Sequence, residues 1–176
     1  NSTFANKGVY TKPVYITRIE DKNGNVLQEF VPQTNEAMSE ETAYVTLNLL
    51  EGVVQGGSGV RLRYRYKMMN PIAGKTGTTQ NNSDGWFMGL TPNLVSGVWV
   101  GCEDRSAHFR GMALGQGASM ALPIWALYMK KVYADQALGI SQGPFERPSV
   151  PVKVELDCVR FNKENLQKKN KDNQYD

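Results

Sequence analysis

The sequence predicts an α+β fold, an antiparallel sheet with helices packed on it. Two patterns lead there. Between Ile72 and Gly101, short runs rich in Thr, Val, Trp and Phe alternate with turn sequences, as the strands of a meander do. Elsewhere, Ala43, Leu47, Leu50 and Val54 recur at helical spacing, and Met120 to Tyr133 is apolar nearly all round, as a buried helix on a sheet would be. At 176 residues and 40% hydrophobic composition, the chain suits one medium domain with a real core.

Taken in order, Asn1 to Gly8 reads as the end of a helix, with Phe4 buried and Gly8 as its stop signal. Val9 to Glu20, rich in Val, Ile, Tyr and Thr, reads as one strand. Asp21-Lys22-Asn23-Gly24-Asn25 is a turn, because Asn-Gly tolerates positive φ, and Val26 to Val31 returns as the partner strand of a structural hairpin. Ser39 caps a helix to about Val54, with Glu40 and Glu41 complementing its dipole. Gly56-Gly57-Ser58-Gly59 is a flexible break. Arg61 to Lys67 alternates basic with apolar residues, and that period of two favours a strand over a short helix. It reads as a solvated basic face over packed Leu62, Tyr64 and Tyr66.

Trp86 to Leu90 and Leu94 to Gly101 are strands joined by the turn Thr91-Pro92-Asn93. Gly85, Gly89, Gly97 and Gly101 are costly in strands unless something packs close against them. The helix Met120 to Tyr133 is the expected neighbour, with Pro123 near its first turn. The intervening loop holds His108, the single histidine, and lone loop histidines mostly have no catalytic role. Past Ser141, Pro144, Pro148 and Pro151 favour an extended crossing of the surface. Val150 to Cys158 is expected to add an edge strand, and Asn162 to Asp176 to be a disordered polar tail. The chain divides accordingly into a folded part (1–140), an extended segment (141–161) and a tail (162–176).

Composition excludes several classes. A net charge of +3 is too small to imply a nucleic-acid partner. One histidine and two cysteines leave little room for a zinc site or a disulfide framework, and Cys102 and Cys158 are expected as unpaired thiols. Nothing implies a cofactor. No apolar run reaches the length of a membrane span. The chain opens at Asn1-Ser2-Thr3 without methionine and reads as a piece of something larger.

The stretch Ile72-Ala73-Gly74-Lys75-Thr76-Gly77-Thr78-Thr79 concentrates the chemistry. Threonine is β-branched and favours a pleated backbone, and Gly74 and Gly77 let another backbone approach. In a strand, Lys75 and Gly77 share one face and Thr76 and Thr78 the other. Such an edge offers a cation, two hydroxyls and free backbone donors to an extended anionic ligand. Gly-Lys-Thr also ends phosphate-binding loops, but that motif needs glycine at position 69, where Met69 stands, and a helix afterwards. The bland alternative is a half-exposed strand with a solvated lysine.

The wider context is more specific. Ala73 to Thr79, Asp84-Gly85-Trp86-Phe87, Thr91-Pro92-Asn93, Gly97-Val98-Trp99-Val100-Gly101, Gly52-Val53-Val54-Gln55-Gly56 and Gly115-Gln116-Gly117 together closely resemble the transpeptidase domain of class A penicillin-binding proteins. The resemblance implies a partial penicillin-binding/serine β-lactamase-like fold. It implies D,D-transpeptidase activity in peptidoglycan cross-linking, with stem peptides as substrates and β-lactam antibiotics as inhibitors. Lys75 would be catalytic, keeping the site positive and assisting proton traffic. Thr76, Gly77 and Thr78 would bind substrate: the two hydroxyls hold the terminal carboxylate, the Thr78 N–H supplies half of the oxyanion site, and Gly77 leaves room. The family also needs Ser-x-x-Lys and Ser-x-Asn, yet no serine here has lysine three places on or asparagine two places on. The expectation is therefore the C-terminal part of the domain, inactive alone. Its nucleophile, a glycosyltransferase domain and a membrane anchor would lie upstream, in a parent on the periplasmic side of a bacterial inner membrane. The alternative is a non-catalytic wall-binding scaffold module.

Overall fold

In the computed structural model of the chain, which describes residues 1–157 and 159–163, a three-stranded meander carries two helices against its core. The meander is β5 (Ala73–Thr78), β6 (Asp84–Leu90) and β7 (Val95–Gly101), antiparallel throughout, with β5 on one edge. The N-terminal part forms two small antiparallel pairs. Strand β1 (Val9–Thr11) pairs with β4 (Thr34–Glu36), and β2 (Arg18–Glu20) pairs with β3 (Val26–Glu29).

The single strand expected over Val9 to Glu20 is thus two strands with different partners. Pro13 lacks the N–H that a continuous ladder would need. The turn expected at Asp21 to Asn25 forms, with Gly24 at φ +85° and the Asp21 carboxylate accepting from the Asn23 and Asn25 N–H groups. At the N-terminus, α1 is a single turn (Ser2–Ala5). Gly8 ends that segment at φ +88°, but Phe4 is only half-buried.

Helix α2 (Glu40–Gln55) begins where Ser39 predicts. Ser39 Oγ accepts from the Thr42 N–H at 3.2 Å. The break after it is tied down rather than flexible: the Gly57 and Gly59 N–H groups both donate to Val53 O, at 3.1 and 2.9 Å. Next comes α3 (Arg61–Tyr64), a helical turn where the alternating pattern favours a strand. Arg63 explains the outcome. Its guanidinium donates to Met68 O and Asn70 O, both at 2.6 Å, which holds the segment curled and leaves Leu62 fully buried.

After α4 (Met112–Gly115), α5 (Gly117–Ala134) crosses the sheet. Phe87 and Trp125 meet edge-on with ring centroids 5.1 Å apart, inside a cluster with Val54, Leu62, Ile72 and Met129. The helix accounts for two of the four strand glycines. A Cβ at Gly85 would meet Met120 and Gly117, and one at Gly89 would enter the Trp125 ring. Gly97 and Gly101 instead make room for the sheet's own Met88 and Trp99 side chains. Because α5 starts three residues earlier than expected, Pro123 lies in its second turn and withholds the donor that Ser119 O would receive. The helix is not buried all round either, since Ile124, Leu127 and Tyr128 are exposed on its far side.

The segment from Gly139 runs extended over α2, and no strand forms within 150–157. Carboxylates take some of its backbone donors in and just ahead of the stretch where a ladder was expected. Glu40 Oε2 accepts from Ser149 N–H and Oγ–H, at 3.0 and 2.5 Å, and Glu41 Oε1 from Lys153 N–H at 2.6 Å. Lys7 Nζ bridges to Glu146 at 2.8 Å, and Phe145 is buried with Leu47, Ala73 and Leu90. Among the described residues Cys102 is a free, exposed thiol; Cys158 and most of the expected polar tail lie outside them.

The Ser149 hydroxyl, then its N–H, hold the Glu40 carboxyl below its ordinary value of 4.5. A depressed folded-state pKa means the docking contribution is complete above that value and is lost as pH falls through the lower one. Amide exchange at Ser149 should therefore accelerate, relative to Gly57, as the pH drops below about 4.5. Unchanged protection at pH 3 would contradict this.

Candidate functional site

Strand β5 changes character along its length. Ile72, Ala73 and Gly74 are buried, anchoring the strand's start in the core, while Lys75 is exposed and Thr76 and Gly77 half-exposed. The lack of a side chain at Gly74 admits the Phe87 ring beneath the strand, since a Cβ there would lie 2.8 Å from Phe87 Cζ. Register pairs Lys75 with Met88, Thr76 with Phe87, Gly77 with Trp86 and Thr78 with Gly85. Thr76 and Thr78 consequently share the helix-side face with Phe87 and Gly85, and Lys75 and Gly77 take the opposite face. The other long side of β5 has no strand partner among the described residues.

The four predicted site residues lie consecutively on this edge, and each has a specific environment. Lys75 Nζ donates to Thr76 O at 2.7 Å and forms no ion pair among the described residues. Thr76 Oγ1 lies 2.7 Å from Ser58 Oγ. Thr78 Oγ1 accepts from the Gly117 N–H, at the first turn of α5, at 3.0 Å. Gly77 O sits directly against Gly117, where any Cβ would clash with Gly77 O and Trp86 O. Thr79, next along, closes the following turn: its Oγ1 accepts from the Asp84 N–H at 3.1 Å.

Two further residues join the neighbourhood. Ser58 stands in the glycine-rich break. Arg61 Nη1 donates to Ala118 O and Ser119 Oγ, at 3.0 and 2.8 Å, in the first turn of α5. A cation beside a helix N-terminus is electrostatically unfavourable, and the first turn of α5 contains no acidic residue to offset it. Lys75, Arg61 and the end of α5 thus give this side of β5 a positive character without a protein carboxylate paired to either cation among the described residues. Sequence reasoning passed over both residues. One sat in an apparent linker, the other in a stripe read as solvated, and no local pattern distinguished them.

His108 is exposed and its Nδ1 lies 3.1 Å from Phe109 O. It lines a separate pocket of about 330 Å³ with Ser83, Cys102 and Phe109. The loop nonetheless borders the turn after β5, because the Phe109 N–H donates to Asn82 O at 3.3 Å.

Comparison with known proteins fits this geometry. The family model described as penicillin binding protein transpeptidase domain matches residues 1–103. The chain belongs to that family. Penicillin-binding protein 1A of Aquifex aeolicus (strain VF5) is 40% identical over 129 residues, covering 73% of this chain and 17% of that protein. The Clostridium novyi (strain NT) protein of the same name is 41% identical over 156 residues, 89% of this chain and 17% of its own. This transpeptidase-family chain therefore spans about a sixth of the length of these relatives. Among solved structures, penicillin-binding protein 1A from Haemophilus influenzae superposes with a TM-score of 0.68 over 86% of this chain and 27% of that one, at 24% identity, which shows a shared fold. The D,D-transpeptidase domain of a peptidoglycan glycosyltransferase from Eggerthella lenta gives 0.51 over 74% and 31%, at 27% identity. The α+β arrangement predicted from the sequence is the fold of these neighbours.

Gly117→Ala should separate α5 from the β5–β6 pair, because the added methyl meets two backbone carbonyls that cannot rotate away. A loss of about 1–3 kcal/mol is expected, read as a lower thermal midpoint together with faster exchange of the backbone amide at that position. An unaltered midpoint would show that the approach is looser than described.

Proposed function

We propose that the β5 edge is the carboxylate-recognising half of a D,D-transpeptidase site that cross-links peptidoglycan. The reading rests most on one observation: an open strand edge carrying a cation and two hydroxyls, with no protein carboxylate bound to them among the described residues. A stem peptide would add along the free side of β5 by strand augmentation. The Thr76 and Thr78 hydroxyls would hold its terminal carboxylate, and Gly77 would leave space for the chain. The Thr78 N–H would face the scissile carbonyl oxygen, and Lys75 would keep the site positive and assist proton movement.

The reaction needs a serine, whose hydroxyl attacks the penultimate D-alanine carbonyl. Its proton is transferred to the departing D-alanine amine, leaving an acyl-enzyme. The amine of a second peptide then takes the acyl group and returns the serine. β-Lactams would acylate the same serine. Since these 176 residues contain no Ser-x-x-Lys, the nucleophile is assigned to residues outside them. The whole protein would act at the bacterial cell envelope, on the outer side of the inner membrane. No helix among the described residues is long and apolar enough to cross a membrane.

The missing Ser-x-x-Lys also favours a second reading, a wall-binding module of the same fold that recognises stem peptides without chemistry. Labelled penicillin separates the two. The full-length protein should form a covalent adduct and this chain alone should not. A full-length protein that binds stem peptide yet is never acylated supports the module. Within the first reading, Thr76→Val in the full-length protein should weaken acylation by about 1–3 kcal/mol, the cost of a lost hydrogen bond to a charged group. Rates equal to wild type would remove Thr76 from the site.

A further inference from the structure

We infer that Ser58 is a positioning residue that makes the Thr76 hydroxyl a dedicated proton donor toward an anionic ligand. The inference rests on the carboxylate-binding reading of β5. Thr76 and Thr78 lie two residues apart on one face, and each hydroxyl meets a partner from outside the strand. For Thr78 the direction of the bond is fixed. Gly117 contributes an N–H, which can only donate, so Thr78 Oγ1 accepts and its single proton is left for something else.

For Thr76 the direction depends on the ligand. Ser58 Oγ and Thr76 Oγ1 are 2.7 Å apart, and either hydroxyl can donate to the other. An ionised carboxylate only accepts. Beside one, the Thr76 proton goes to the carboxylate and the Ser58 proton to Thr76 Oγ1. Both threonines then present O–H donors, each polarised by the bond it accepts. A ligand terminating in an ester lacks the charge that those donors favour. Ser58 thereby sets selectivity for a free acid without touching it.

The backbone around Ser58 is built to keep it there. Gly57 and Gly59 each donate to Val53 O, and a Cβ at either position would press on the Val53 backbone, at 2.9 and 3.2 Å. Of the residues at 56–59, only Ser58 carries a side chain beyond Cα, and it reaches across to β5. It is exposed, so removing its hydroxyl empties no core space.

The test uses the full-length protein as wild type, Ser58→Ala and Ser58→Thr. The quantity measured is the second-order rate constant for acylation by a fluorescent penicillin as its free acid and as its methyl ester. Wild type should prefer the acid. Ser58→Ala should lower the acid-to-ester ratio by about tenfold, and Ser58→Thr should restore it. A ratio unchanged in Ser58→Ala overturns the inference while leaving the β5 reading intact, and so does an equal loss with both compounds. A wild type that does not distinguish acid from ester overturns the β5 reading and the inference with it.

Discussion

Helix α5 lies so close to the sheet that Gly85, Gly89 and Gly117 have no room for side chains. That approach organises most of the molecule. It brings Trp125 against Phe87 and lets its Nε1–H donate to Ser96 Oγ at 2.8 Å, which locks the helix to β7. It sets the first turn of α5 on the carbonyls of Gly77 and Trp86, so that a backbone N–H reaches Thr78. A helix standing off by one methyl group would keep the core cluster roughly intact and lose the link to β5. Interiors packed at crystal-like density transmit such shifts rather than absorb them.

The same packing explains why β5 can be both anchored and open. Its first residues are sealed by Leu47, Leu90 and Phe145, the last delivered by the extended segment that Glu40 and Glu41 hold across α2. Its later residues project from that anchor with one edge unpaired among the described residues. An unpaired edge strand ordinarily invites aggregation, and exposed charge such as Lys75 discourages it. Rigid support with a free hydrogen-bonding edge is what recognition of an extended peptide requires.

Much of this was legible in the sequence because local chemistry and tertiary structure agree there. Ser39 caps α2, Asn23-Gly24 turns the hairpin, and the glycine-punctuated runs around Thr91 to Asn93 fold as a meander. Legibility failed where a long-range contact overrode the local pattern. Arg63 reaches forward to Met68 and Asn70 and curls a stretch that alternates like a strand. Glu41, read as a dipole complement, also takes the Lys153 N–H from within the stretch expected as a C-terminal edge strand, and Glu40 holds Ser149 just ahead of it. Ser58 was invisible for a related reason: its partner lies eighteen residues away, and a serine between glycines looks like any linker. Lys75 to Thr78 stood out through the motifs around them, because the triplet alone also reads as a half-exposed strand with a solvated lysine, whereas Ser58 belongs to no such motif.

Family membership supplies the chemistry that these residues would serve, and the geometry gives a concrete form to their part in it. An anion should dock on the helix-side face of the β5 edge, between two hydroxyls whose other bonds are already spoken for. A crystal structure of the full-length protein acylated by a penicillin tests that most directly. The account predicts carboxylate oxygens within about 2.5–3.2 Å of Thr76 Oγ1 and Thr78 Oγ1, with the adduct running along β5. A carboxylate directed away from β5, toward solvent or another element, would contradict it.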